Sequence, residues 1–222
     1  ESCMTVRRIE IGTEVGKGWR LLKANMGVLI FGGILATMIS AITCGLLTGP
    51  LMVGMLLIAR RLLKGDPDRP QAGDVFRGLD FFIQTLLLLV ITAIAVLVLG
   101  RLLMSMGRIP IIIGWLIDLV VYAVVMWALV FVAYEKATAI DAIKKVFTLI
   151  KSGSFTVPLL FAMVAGFLGS LGLAVCVVGG FFTLPLTYCL MACYYDTLFG
   201  DGPEVIDLIS AQTPPPPPDL RL

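Results

Sequence analysis

An all-α, polytopic membrane protein with about six transmembrane helices is the fold class that three features of the sequence predict. Of the 222 residues, 59% are apolar and only 14% charged, with a mean hydropathy of +0.99, outside the range of soluble domains. Residues 24–59, 81–100, 109–117, 119–134 and 152–195 carry no Asp, Glu, Lys or Arg, while one spanning helix needs about 20 apolar residues. The long first and last runs must therefore each fold back as a hairpin. The third feature is an internal repeat, sought before any finer reading. Residues 48–66, TGPLMVGMLLIARRLLKGD, and 183–201, TLPLTYCLMACYYDTLFGD, share Thr48/Thr183, Pro50/Pro185, Leu51/Leu186, Leu63/Leu198, Gly65/Gly200 and Asp66/Asp201 at a constant offset.

Residues 10–23 open the chain with Ile11, Val15, Trp19 and Leu22 at helical spacing and Glu10, Glu14, Lys17, Arg20 and Lys23 on the other faces. That pattern predicts an interfacial amphipathic helix. The first span, about 26–46, places Gly32, Ala36, Ser40 and Cys44 at four-residue intervals, a stripe of small residues that lets helices approach closely. Thr48 and Pro50 then predict a helix start, the hydroxyl capping orphan amides and the ring pre-setting φ in the first turn. Residues 60–80, broken by Pro67 and Pro70, read as a solvated loop with one turn of helix at 74–78. Two spans without a repeat partner follow, about 81–106 and 110–134, joined by a turn at 107–110. Residues 138–151 repeat the amphipathic helix, pairing Val15/Ile143, Lys17/Lys145, Trp19/Phe147, Leu22/Ile150 and Lys23/Lys151. The fifth span carries its own stripe, Ala162, Gly166, Ser170 and Ala174, and the sixth is expected to start at Thr183 and Pro185.

The chain thus reads as one membrane domain, 1–201: a first repeat at about 10–66, an inserted hairpin at about 80–134 and a second repeat at about 138–201. Residues 202–222 form an acidic, proline-rich tail. Its run of Pro214, Pro215, Pro216, Pro217 and Pro218 favours an extended polyproline helix, either a spacer or a docking peptide for a partner. No cleavable leader is expected, since the first apolar run begins only near residue 26.

Placing the N-terminus, the 60–80 and 135–151 segments and the tail on one side gathers fifteen of the seventeen Lys and Arg residues, leaving Arg101 and Arg108 opposite. That asymmetry predicts both termini in the cytoplasm. Each hairpin returns to its starting side and two spans separate the copies, so the repeats are expected to be parallel. Arg101 and Asp118 lie at similar distances from the 107–110 turn and are expected to pair as a structural intramembrane ion pair, because a lone charge in hydrocarbon is costly. The first uncharged run holds 36 residues against 44 for the last. A short first hairpin follows, with a polar indentation or thinned bilayer at its Thr48 end.

The reactive inventory is sparse. There is no histidine, which removes the commonest general base and metal ligand, and no GxSxG, HExxH, Walker loop or CxxC occurs. Cys189 and Cys193 lie one helical turn apart without another ligand type and read as helix packing. Cys44 and Cys176 could meet in a disulfide if their side is oxidising. The carboxylates Asp66, Asp68 and Asp74, and Asp201, Glu204 and Asp207, fall in loops and read as solvated helix ends. No catalytic residue, metal or cofactor is expected, and a net charge of +2 gives no reason to expect nucleic acid.

Residues 142–151 before an apolar hairpin, then Gly179, Gly180, Phe181, Phe182, Thr183, Leu184 and Pro185, and Tyr195, Asp196, Thr197, Leu198, Phe199 and Gly200, resemble the C-terminal half of a broad group of uncharacterised bacterial multi-span membrane proteins. A similar membrane domain is fused to some glycerophosphodiester phosphodiesterases. The resemblance implies a bacterial inner membrane, and carries over no catalytic residue, because the enzymatic domain of those fusions has no counterpart here. Two functions follow from the residues: a non-catalytic membrane scaffold or accessory subunit of a larger assembly, with the bilayer and other membrane subunits or itself as partners, or a transporter or lipid-handling protein with a site near the Pro-interrupted helices.

Overall fold

The computed structural model describes residues 11–66, 68–105, 111–151, 155–175 and 177–199, without the side chains of 11, 102–105, 111–113, 115, 170–175 and 177–182. The described residues form α1 (Ile11–Ala24), α2 (Met26–Ile42), α3 (Thr48–Leu63), a 3₁₀ helix (Ala72–Phe81), α4 (Phe82–Ser105), α5 (Ile111–Glu135), α6 (Ala139–Lys151), α7 (Thr156–Val175) and α8 (Val177–Phe199). By length and apolar composition two stretches of them, Ala72–Arg101 and Leu116–Glu135, can cross a membrane, and four can if each of two bent helix pairs counts as one span. The bends are 89° between Gly12–Ala24 and Met26–Ile42 and 118° between Ala139–Lys151 and Thr156–Gly169. The two amphipathic helices therefore turn away from the helices they lead into.

The core lies where α3, α5, α7 and α8 meet. Trp127, Phe131, Phe161 and Tyr194 are fully buried there. The Trp127 Nε1–H donates to Pro158 O at 3.0 Å, which satisfies the one polar group of a buried indole. Phe161 stacks on Tyr194 with ring centroids 4.2 Å apart.

The first hairpin is short. Helix α2 has 17 residues and α3 has 16; at about 1.5 Å per residue each is about 25 Å long, less than a hydrocarbon core of about 30 Å. The chain reverses between them through left-handed conformations at Cys44 (φ 51°) and Gly45 (φ 84°). Helix α3 does begin at Thr48, but its cap position is Leu47 and no side chain closes it. Pro50, third in the helix, has no intrahelical partner to lose.

The repeat does not reproduce this start. Helix α8 begins at Val177 and runs through Thr183, with Pro185 inside it, so the expected helix start at Thr183 and Pro185 is corrected. Interior proline forfeits a backbone bond, and neighbours hold the helix at that point. Thr183 Oγ1 donates to Gly169 O of α7 at 3.0 Å, and Thr187 Oγ1 reaches Ala165 O at 3.2 Å. Across the bundle the Pro185 ring sits against Gly33 of α2, where an added Cβ would stand 3.2 Å from it.

The 60–80 segment is the larger correction. Residues 60–63 complete α3 and a loop follows, but in place of one helical turn at 74–78 the segment Ala72–Phe81 forms a ten-residue 3₁₀ helix laid antiparallel along α3. Two glycines make this possible: a Cβ on Gly54 would fall 1.9 Å from Val75 O, and one on Gly78 1.9 Å from Pro50 O. Val75 is completely buried. Arg61 organises the preceding turn, with Nε donating to Asp66 Oδ2 at 2.7 Å, Nη1 to Asp74 Oδ2 at 3.0 Å and Nη2 to Asp68 O at 3.2 Å. Two of the carboxylates read as solvated helix ends, Asp66 and Asp74, thus share one guanidinium, while Asp201, Glu204 and Asp207 lie outside the described residues.

Candidate functional site

A groove of about 560 Å³ opens where α3 begins, between its first turns and the flanks of α4 and α5. Thr48, Gly49 and Met52 form one wall, Thr85 and Leu88 a second, and Leu129 belongs to the third. Gly49 sets the width at its base, since an added Cβ would stand 3.0 Å from Thr85 Cβ. The indentation falls at the Thr48 end, as expected from the short hairpin, but it is apolar. The Thr85 hydroxyl is shared between Phe81 O and Phe82 O, both at 3.0 Å, and the Thr92 hydroxyl donates to Leu88 O at 2.7 Å. Threonine in a helix can satisfy its own hydroxyl this way, and so both present methyl groups to the groove. Such walls suit an apolar chain or helix and offer no group for proton transfer.

Along α4, Ile83, Leu87, Val90, Ile94, Leu97 and Val98 are all exposed, Leu97 within the groove wall itself. Among the described residues, few side chains of α4 beyond its first turns are buried.

A polar cluster closes the other end of α3. Arg60 Nη1 donates to Tyr134 O at 3.2 Å, and its guanidinium lies 4.5 Å from the Tyr134 ring and 5.7 Å from the Tyr195 ring. Tyr134 donates its hydroxyl to Leu56 O at 3.0 Å. Glu135 Oε1 accepts from the Tyr195 hydroxyl at 3.0 Å and from Lys145 Nζ at 2.6 Å, while Lys145 lies 4.6 Å from the Phe131 ring. These contacts tie the ends of α3, α5, α6 and α8 together. Charges stacked on aromatic faces and closed by hydrogen bonds form a structural clasp.

Glu14 belongs to the same end. It is 2% exposed, paired with Lys17 at 2.7 Å and accepting from Thr197 Oγ1 of α8 at 3.1 Å. The sequence pattern put Glu14 with the charged residues on the faces away from the apolar stripe; the structure buries it against α8. Gly18, one turn on, leaves a bare patch where an added Cβ would stand 2.6 Å from Leu190 Cδ2, so α8 settles on the Glu14–Gly18 face.

The expected Arg101–Asp118 pair does not form among the described residues: both are exposed, and none of the ion pairs joins them. Equal distance from a turn sets depth along a hairpin but not azimuth, and both residues fall on outward faces. The small-residue stripes separate. Gly32 packs toward Met55 and Ala72, and Gly166 against the Tyr122 ring of α5. Ala162 is buried, Ala36 and Ser40 are half-buried, and the Ser170 side chain lies outside the described residues. So do Cys176, the 107–110 turn and the tail with Pro214–Pro218. Cys44, Cys189 and Cys193 are free thiols. Among the described residues no group of three or more His, Cys, Asp or Glu could hold a metal ion.

Sequence reasoning missed the clasp at Arg60, Tyr134, Glu135, Lys145 and Tyr195. One signal was available: Arg60 and Tyr195 stand 135 positions apart, the offset that aligns residues 48–66 with 183–201, and they meet. Comparison with protein-family models, curated proteins and solved structures returned no match for the chain.

Proposed function

We propose that the protein is a non-catalytic integral membrane scaffold or accessory subunit of a larger bacterial inner-membrane assembly. In this reading it has six spans, α2, α3, α4, α5, α7 and α8, both termini are cytoplasmic, and the triplets α1–α3 and α6–α8 are parallel repeats. The observation that carries it is α4, a 24-residue apolar helix whose described side chains are mostly exposed or half-buried and which flanks a groove with an almost wholly apolar lining. The grouping of fifteen of seventeen basic residues on one side supports the orientation, and the likeness to bacterial multi-span proteins supports the compartment.

Purification in mild detergent tests the reading. Stoichiometric co-purification of other membrane subunits is expected, abolished by Ala93→Trp in the groove wall while the fold is retained. A lone, fully functional chain would overturn it.

The groove itself favours a second reading, a lipid-handling protein. Its volume lies within the range of small-molecule pockets, roughly 300–1,000 Å³, and its lining matches an acyl chain. Lipid transfer between vesicles by the reconstituted chain alone, lost in Ala93→Trp, would favour this reading over the scaffold.

A further inference from the structure

Helices α1 and α6 share a surface feature that the bundle does not use. On α1, Trp19 is 47% exposed, and on α6 its repeat equivalent Phe147 is 53% exposed. One turn after each aromatic comes an exposed lysine, Lys23 and Lys151, with the Lys23 ammonium 5.4 Å from the Trp19 ring. Arg20 and Lys144 add two more exposed cations, and none of the four has an ion-pair partner among the described residues. The carboxylates of these helices are engaged elsewhere. Glu14 turns inward to Lys17 and Thr197, and Asp141 accepts from the Thr138 hydroxyl at 2.7 Å.

Both helices sit at one end of the molecule, since α1 grips the last turns of α8 through Glu14 and Thr197 and Lys145 of α6 lies 5.8 Å from the Phe199 ring. Both are bent sharply from the helix that follows. An exposed aromatic ring beside uncompensated positive charge, on a helix lying across the bundle, matches an anionic membrane surface: the ring enters the headgroup region and the cation meets phosphate. A merely water-facing helix would explain the lysines but not two equivalent exposed aromatics.

We propose that α1 and α6 form one docking surface for anionic phospholipid headgroups, with Trp19–Lys23 and Phe147–Lys151 as two equivalent contact points. The surface holds whether the protein is a scaffold or a carrier. Its test uses the full chain in non-ionic detergent, titrated with phosphatidylglycerol or phosphatidylcholine while the unfolding temperature is followed. Phosphatidylglycerol is expected to raise the midpoint in a salt-sensitive way and phosphatidylcholine to raise it far less. The double variant K23Q/K151Q should weaken the phosphatidylglycerol response about fivefold per lysine, and K23R/K151R should restore it. Equal stabilisation by the two lipids, an undiminished response in K23Q/K151Q, or the same shift from inorganic phosphate would overturn the proposal. If K23Q/K151Q fails to fold, native mass spectrometry of the unaltered protein with equimolar lipids decides: preferential retention of phosphatidylglycerol supports the surface, and equal retention overturns it.

Discussion

The triplets α1–α3 and α6–α8 have the same order of elements, an amphipathic helix bent away from a two-helix hairpin, yet they pack differently because of a few small residues. Gly54 of α3 corresponds to Cys189 of α8, 135 positions on. The bare glycine admits the backbone of the 3₁₀ helix; the cysteine side chain is itself buried in the core. Gly18 of α1 corresponds to Val146 of α6. The glycine receives Leu190, whereas Val146 is buried on its own helix and α6 is held by Lys145 to Glu135 and by Ala139 N to Gln84 Oε1. The two triplets thus share an order of elements, and the presence or absence of a Cβ at aligned positions decides what each helix touches.

Writing one copy's residue into the other tests this most severely. Gly54→Cys places a Cβ 1.9 Å from a backbone oxygen, which no rotamer relieves, so a loss of about 3 kcal/mol or more is expected. The reciprocal Cys189→Gly removes one buried thiol and loosens a helix, with an expected cost of about 1–2 kcal/mol. Thermal unfolding of both in detergent reads the asymmetry; equal costs would mean that the 3₁₀ helix does not rest on Gly54.

Where the copies meet, Arg60 and its equivalent Tyr195 are in contact. Arg60→Ala should cost about 2 kcal/mol by removing a charged hydrogen bond and two ring contacts. Arg60→Lys should recover less than half of that, since an ammonium cannot stack and donate as a guanidinium does. Full rescue by lysine would reduce the clasp to simple charge. A smaller effect is expected from Glu14→Ala, which installs the residue that α6 carries at the equivalent Ala142. The cost should be about 1.5 kcal/mol, because Lys17 is partly exposed and can rehydrate once its partner is gone. No loss would mean that α1 is held by Gly18 and Leu21 alone.

Class and element order were legible because uncharged runs and 3.6-residue periodicity are local properties. Both amphipathic helices and the short first hairpin follow from them. The 3₁₀ helix was not legible, since Arg61, Asp66 and Asp74 read as solvated when counted one by one and pair with one another only after the turn closes. Thr183 and Pro185 misled for a related reason: the same Thr-x-Pro frame starts α3 but lies inside α8, where Thr183 and Thr187 bond to α7 carbonyls that the sequence alone does not bring near. The Arg101–Asp118 expectation rested on depth without azimuth. A polar indentation was expected at the Thr48 end; the groove found there is apolar, because the Thr85 and Thr92 hydroxyls turn back to their own helix.

The smallest effect separates the ends of the two hairpins. Gly65, at φ 63°, turns the chain after α3 so that Asp66 N bonds Arg61 O at 3.2 Å and its carboxylate accepts from Arg61 Nε. That hydrogen bond, followed by the charge of Arg61, holds the Asp66 carboxyl below its ordinary value of 3.8. A depressed carboxylate pKa stabilises the fold above the unfolded value and loses that contribution as pH falls through the folded one. Asp66→Asn should therefore lower the unfolding temperature slightly at neutral pH, with the gap to the unaltered protein closing as the pH drops below 3.8. In the second matched segment Asp196 stands at the position of Arg61, so the arginine is a feature of the first hairpin's end. In an Arg61→Ala background Asp66→Asn should add no pH-dependent gap; a gap that persists there would mean that the shift at Asp66 owes nothing to Arg61.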